Sequence, residues 1–123
     1  MPKNIYPGKK IYEKDNYFET NISFDKIYND PKINNIIKPE YQGSLDNDRV
    51  ENMIKEYLQN FLYLKFKNKI IIGSLNDTWY CVDGQHRLEM IKRLYSEHNI
   101  KDDSINFCWY KCNNQDDMKK LFM

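Results

Sequence analysis

The stretch WYCVDGQHRLEMIKRL, residues 79–94, joins two segments of different periodicity through a single glycine. Before the glycine, Trp79 and Cys81 alternate with less apolar positions, which is typical of a strand. After it, Leu88, Ile91 and Leu94 recur every three or four residues, which predicts an amphipathic helix ending near residues 98–99. A strand that turns directly into a helix at Gly84 indicates an α/β fold.

The segments around this stretch predict a small mixed sheet flanked by helices, an α/β (α+β) domain. Residues 67–75 and 78–82 are separated by a short polar turn and predict a β-hairpin, with residues 70–73 and 80–82 as adjacent strands. The three consecutive isoleucines at 70–72 suggest a strand buried on both faces. Residues 105–112 predict a last strand, and the apolar residues at 118, 121 and 122 predict a final helix.

A further helix is predicted over residues 48–60, where apolar residues follow helical spacing without a break. These residues are Val50, Met53, Ile54, Tyr57, Leu58 and Phe61. Asp46 or Asp48 can cap the helix. We expect its apolar face to pack on the sheet. Residues 22–28 predict a short strand or turn, and residues 29–48 predict a loop.

The predicted domain organisation is a polar N-terminal arm over residues 1–21, followed by one domain over residues 22–123. The arm shows no clean period and is expected to pack on a protein partner. The pattern of the final helix stops at Met123, which leaves open a truncation of the domain at its C-terminus. A chain of 123 residues can bury one modest core.

Composition narrows the classes of function. The formal charge is +1, so nucleic-acid binding would need a local basic patch rather than a global field. No apolar run is long enough for a membrane span, and no secretory signal is apparent, so we expect an intracellular protein in the cytoplasm, nucleus or a virion. The three cysteines are expected to be reduced and buried, and their spacing predicts no metal site. The absence of alanine and the wealth of Lys, Asn, Ile and Tyr indicate an AT-rich genome.

Five residues at the strand–helix junction have chemistry suited to an anion. Gly84 permits a positive φ and close approach of a ligand to the backbone. The N–H groups of the first helical turn favour phosphate. Arg87 offers a bidentate fork, and we expect it to point between this helix and the helix over residues 48–60, where it would meet an anion or an acidic side chain such as Asp83, Asp48 or Glu51. His86 can donate, accept or carry a proton, and we expect it to be partly buried and hydrogen-bonded. Asp83 can cap the helix, hold Arg87 or bind a cation. The alternative is a plain turn with Asp83 as the N-cap and Arg87 in solvent.

The residues VDGQHRLEMI, 82–91, resemble the signature of the DGQHR-motif proteins, a branch of the ParB/sulfiredoxin-like (ParB-like nuclease) superfamily. The resemblance extends over residues 38–122. It implies a compact domain whose turn binds nucleotide phosphates, with a nucleoside triphosphate and Mg²⁺ as cofactors, and a link to DNA modification, defence or partition. By position it assigns Gly84, Gln85, His86 and Arg87 to the phosphate loop, with His86 and Asp83 as the catalytic candidates.

The chain also departs from both named branches of that superfamily. Sulfiredoxins need a cysteine where this chain has Gln85, so sulfinic acid reduction is not expected. ParB proteins carry an arginine in the loop before the first long helix, where this chain reads YQGS and has Arg49 displaced into the helix. The DNA-binding helix-turn-helix of ParB would lie beyond residue 123.

Three functions are therefore open. The first is a nucleotide- or phosphate-binding domain with nucleotide hydrolase activity, for which Asp46, Asp48 and Glu51 are the nearest candidates for metal and water activation. The second is a non-catalytic module of the same fold in a larger assembly, such as a viral particle. The third is a DNA-binding protein or nuclease that uses a local basic face. That face would consist of Lys65, Lys67, Lys69, Lys92 and Arg93.

Overall fold

A computed structural model describes residues 6–37, 44–59 and 69–121 of the chain. Within these ranges a five-stranded mixed sheet is flanked by helices, which confirms the predicted α/β class. The strands are β1 (Lys9–Lys14), β2 (Tyr17–Ser23), β3 (Lys69–Leu75), β4 (Thr78–Asp83) and β5 (Ser104–Cys112). The helices are α1 (Phe24–Asn29), α2 (Pro31–Asn34), α3 (Asn47–Gln59), α4 (Gln85–His98) and α5 (Gln115–Leu121).

The strand order is β1-β2-β5-β3-β4, so the last strand of the chain lies in the middle of the sheet. Strands β3 and β5 are parallel, and the other neighbours are antiparallel. The predicted hairpin is confirmed: β3 and β4 are joined by Asn76 and Asp77, whose φ angles are 52° and 65°. Two left-handed residues match the twist of a two-residue hairpin turn, and Asn and Asp tolerate them.

Strand β3 is buried on both faces over residues 72–75, as predicted, and is less buried at Lys69 and Ile71. Ile70 and Ile72 are fully buried on the face that carries α1 and α4, whereas Ile71 points to the other face and is half-buried. Helix α5 covers part of that second face, where Met118 lies against Gly73. The helices are thus distributed unequally over the two faces of the sheet.

The main core lies between α1, α3, α4 and the first face of the sheet. Trp109 of β5 is fully buried there, with its ring centroid 4.8 Å from those of Tyr6 and Trp79. Its indole Nε1 donates a hydrogen bond of 2.8 Å to Oγ1 of the buried Thr20. Buried polar groups need such partners, so Thr20 and Trp109 fix the alignment of β2 on β5.

Helix α3 lies within one residue of its predicted bounds. Oδ1 of Asp46 accepts from the backbone N–H of Asp48 at 3.0 Å and of Arg49 at 3.2 Å, so Asp46 is the capping residue. The buried face consists of Val50, Met53, Ile54 and Tyr57. The helix lies mainly against α4, and its buried face belongs to the same core as Ile70 and Ile72 of the sheet. Phe61 lies outside the described residues.

The predicted polar arm over residues 1–21 is wrong where the structure describes it. Residues 9–14 form β1 and residues 17–21 belong to β2, whose pairing with β5 places both strands in the sheet. The predicted strand or turn at residues 22–28 is the end of β2 followed by α1. The predicted loop also contains α2, which Asp30 caps by accepting from the N–H of Lys32.

Two further expectations concern the state of the cysteines and the apolar character of the helices. Cys81, Cys108 and Cys112 are free and buried, as predicted. None of the helices in the described ranges combines the length and the apolar character that a bilayer crossing requires.

Candidate functional site

Gly84 connects β4 to α4 in the left-handed region, with φ 114° and ψ 16°, which confirms the predicted positive φ. The residue is buried against β3. A Cβ built on it would lie 3.1 Å from Cγ1 and 3.3 Å from Cγ2 of Ile70. Two features therefore require glycine at this position: the positive φ and the close approach of Ile70.

The N-terminus of α4 is capped by Gly84, not by Asp83. No side chain hydrogen-bonds to this cap, and the first turn of the 14-residue helix contains no acidic residue. The alternative with Asp83 as N-cap is thus wrong, since Asp83 is the last residue of β4 and is exposed. The positive end of the helix dipole has no carboxylate from its own first turn to offset it.

Arg87 reaches back to the beginning of β3. Its Nη1 donates a hydrogen bond of 2.9 Å to the carbonyl oxygen of Lys69 and lies 3.8 Å from Oδ2 of Asp83. The predicted acidic partner Asp83 is confirmed, but the predicted position between α3 and α4 is wrong. Successive helical residues are about 100° apart around the axis, so Arg87 projects away from the face that meets α3.

His86 links the motif to the segment before α3. Its Nε2 accepts a hydrogen bond of 3.0 Å from the backbone N–H of Asp46, and the side chain is half-buried. Both features confirm the prediction for His86. A ring nitrogen that accepts has no proton, so this contact requires the unprotonated Nε2. Gln85 is buried and only 6% exposed.

Arg93 occupies the place between α3 and α4 that was predicted for Arg87. Its guanidinium donates to Oε2 of Glu89 at 3.0 Å, to Oε1 of Glu51 at 3.1 Å and to Oδ1 of Asn47 at 2.7 Å. The hydrogen bond to Glu89 is the main reason that the pKa of Arg93 is raised. The spacing of Glu89 and Arg93 signals the pair within α4, but nothing in the sequence identifies the contacts to α3.

The acidic residues considered for metal and water activation have other roles or remain apart. Asp46 caps α3, Glu51 pairs with Arg93, and Asp48 is exposed. Across residues 6–37, 44–59 and 69–121, no three His, Cys, Asp or Glu side chains are grouped so that they could hold a metal ion.

The predicted basic face is partly neutralised. Nζ of Lys69 lies 3.2 Å from Oε1 of Glu19, and the hydrogen bond between them raises the pKa of Lys69. Arg93 is held by two carboxylates. Lys65 and Lys67 lie outside the described residues.

In comparisons with protein-family models, curated proteins and solved structures, nothing matches this chain. Its function is therefore inferred from the residues themselves.

Proposed function

We propose that residues 83–87 form a phosphate-binding turn, and that the chain is a ParB/sulfiredoxin-like DGQHR domain that binds a nucleoside triphosphate with Mg²⁺. The observation that carries the proposal is the left-handed Gly84 directly before a 14-residue helix whose first turn has no acidic residue. An anion at this position would be favoured by the helix dipole. A link to DNA modification, defence or partition follows from the resemblance alone.

The guanidinium of Arg87 supports this proposal. Nη1 is held by the carbonyl of Lys69, which fixes the direction of the side chain. Within the described ranges no protein acceptor is bonded to Nε or Nη2 of Arg87, so that edge can take two phosphate oxygens. Asp83 is exposed beside it and could hold the cation that accompanies the phosphate.

Hydrolysis of the nucleotide would place different demands on the two catalytic candidates. Nε2 of His86 already accepts from Asp46, so that nitrogen can take a proton only if this hydrogen bond opens. The side chain of Asp83 is 63% exposed, so its carboxylate is the more accessible base or metal ligand. We therefore assign the water-activating role to Asp83 and a positioning role to His86.

A non-catalytic module is the second candidate, and the internal contacts of the motif favour it. Gly84 packs on Ile70, His86 binds the backbone of Asp46, and Arg87 binds the backbone of Lys69. Each contact joins α4 to a segment distant in the chain. The motif could be retained for these contacts in a protein that acts only by binding partners.

Thermal shift and calorimetric titration with ATP, CTP, GTP and inorganic phosphate, each with and without Mg²⁺, separate the two candidates. A ligand that binds only the folded state raises the melting temperature. Arg87→Lys should weaken binding about tenfold, because the planar fork is lost. Arg49→Lys is the matched control, since Arg49 is exposed on α3 and should bind as wild type does. If no nucleotide or phosphate binds the wild type, the non-catalytic module is favoured.

A further inference from the structure

A cavity of about 530 Å³ lies on the face of the sheet that carries α5, between the β1–β2 turn, the end of β5 and helix α5. Its volume is in the range of small-molecule sites. We call it the tyrosine pocket. Its lining includes Tyr12, Tyr17, Tyr110, Lys14, Lys111 and Lys120.

Three aromatic rings give the tyrosine pocket its shape. The ring centroid of Tyr17 lies 5.9 Å from that of Tyr12 and 4.9 Å from that of Tyr110, with the planes tilted by 57° and 56°. Rings at such angles do not stack face to face on each other, so a planar ligand can lie against them. The hydroxyl of Tyr17 is 2.9 Å from Oε2 of Glu19 and 3.1 Å from Sγ of Cys108, which holds this ring in place.

The charges around the tyrosine pocket favour an anion. Lys14, Lys111 and Lys120 form no ion pair with any side chain of the described residues. Asp15 and Asp117 also line the pocket, so its lysines outnumber its carboxylates by three to two. The lining therefore combines an aromatic floor with a small excess of positive charge.

We propose that the tyrosine pocket binds one nucleotide unit, with the base against the tyrosines and the phosphate at the lysines. Base stacking on aromatic side chains beside a basic groove is the chemistry by which proteins hold unpaired nucleotides. The unit can be a free mononucleotide or part of a single strand. The proposal is independent of the turn at residues 83–87, because the pocket lies at the Leu75–Cys112 end of the β3–β5 pair and the turn at the Lys69 end.

Titrations with AMP, adenosine and ribose 5-phosphate test which part of the nucleotide is recognised. AMP should bind at least fivefold more tightly than either adenosine or ribose 5-phosphate, because only AMP offers both the base and the phosphate. Equal binding of AMP and ribose 5-phosphate would contradict a role for the tyrosines. Fluorescence anisotropy with an eight-nucleotide oligothymidylate tests whether the bound unit belongs to a free nucleotide or to a single strand. Affinity tenfold above that of a mononucleotide indicates a strand, and equal affinity indicates a free nucleotide.

Substitutions in the lining test whether the ligand lies in the tyrosine pocket. Tyr12→Leu should weaken binding at least fivefold, whereas Tyr12→Phe keeps the ring and should bind as wild type does. Lys120→Gln should weaken binding about threefold and lower the salt dependence of the oligonucleotide affinity by about 0.7 in the log–log slope. Lys119→Gln, the exposed neighbour on α5, is the matched control and should change neither. Unaltered binding in Tyr12→Leu and Lys120→Gln, or no binding by the wild type, would overturn the proposal. Loss of AMP affinity in Arg87→Lys without a loss in Tyr12→Leu would assign the nucleotide to the turn instead.

Discussion

The backbone N–H of Asp46 donates a hydrogen bond of 3.0 Å to Nε2 of His86, 40 residues further along the chain. Asp46 also caps α3 through its carboxylate, and His86 belongs to the first turn of α4. One imidazole thus fixes the start of one helix relative to the start of the next. The histidine of the motif has a structural task whether or not a ligand binds beside it.

We expect His86→Ala to lower the free energy of unfolding by about 1–2 kcal/mol, because a hydrogen bond to a half-buried acceptor is lost. Urea denaturation at neutral pH measures this change. His98→Ala is the matched control, since His98 is exposed at the end of α4 and should change stability by less than about 0.5 kcal/mol. Equal effects of the two substitutions would show that the contact to Asp46 contributes nothing.

Gly84→Ala should destabilise the fold by about 1–3 kcal/mol, because the new Cβ meets both a positive φ and the side chain of Ile70. Loss of ligand binding in any substitution at Gly84 therefore needs a stability measurement beside it. A double-mutant cycle with Ile70→Ala separates the two causes. If crowding dominates, Ile70→Ala reduces the cost of Gly84→Ala, whereas additive effects identify backbone strain.

The predicted helices show which features a sequence discloses. Helices α3 and α4 could be predicted to within a residue or two, because each has a continuous apolar stripe and a recognisable end, such as Asn99 with φ 57° after α4. Strand β1 could not be predicted, because all six of its residues are exposed and an edge strand needs no alternation. The pairing of β2 with β5 joins residues more than 80 positions apart, which no local pattern reports.

The candidate site likewise has features that the sequence predicts and features that depend on tertiary packing. The conformation of Gly84 follows from local chemistry, since a strand must turn into a helix within one residue. The contacts of Arg87 and Arg93 depend on where α3 and β3 lie around α4, which is decided by packing. The sequence therefore predicts the conformation of the turn at Gly84 but not which arginine lies between α3 and α4.

Alkaline pH should destabilise the protein through Tyr57. Burial, with the hydrogen bond that its hydroxyl donates to Asp103, raises the pKa of Tyr57 above its usual value near 10. The folded state then holds this proton more tightly than the unfolded state, so stability is complete below about pH 9 and is lost as pH rises through 10 and above. The loss can reach about 1.4 kcal/mol per pH unit.

Denaturation midpoints between pH 7 and pH 11 measure this effect. Tyr57→Phe should be less stable than wild type at pH 7 and should lose less stability on going to pH 11. Tyr12→Phe removes an exposed hydroxyl and should follow the wild-type curve. A Tyr57→Phe curve parallel to that of wild type would show that another group governs the alkaline transition.

Arg93 joins the two long helices, α3 and α4. Arg93 uses three different nitrogens for Glu89, Glu51 and Asn47, a geometry that the single ammonium of lysine cannot reproduce. We expect Arg93→Lys to lower the free energy of unfolding by about 1 kcal/mol, since the charge is kept and the bonds to α3 are lost. Arg49→Lys is the control for the exchange itself, because Arg49 is exposed on α3, and it should be neutral.

The hydrogen bond from Arg93 to the neutral Asn47 can be compared with its ion pair to Glu51, which distinguishes the contribution of hydrogen-bond geometry from that of charge. Asn47→Ala removes a neutral acceptor, so its cost should persist at 1 M salt, whereas the cost of Glu51→Gln should shrink as the exposed carboxylate is screened. Urea denaturation of both variants at low and high salt measures the difference. If Arg93→Lys is neutral while Arg87→Lys destabilises the fold, then Arg87, through the Lys69 carbonyl, contributes more to the packing of α4 than the bridge to α3.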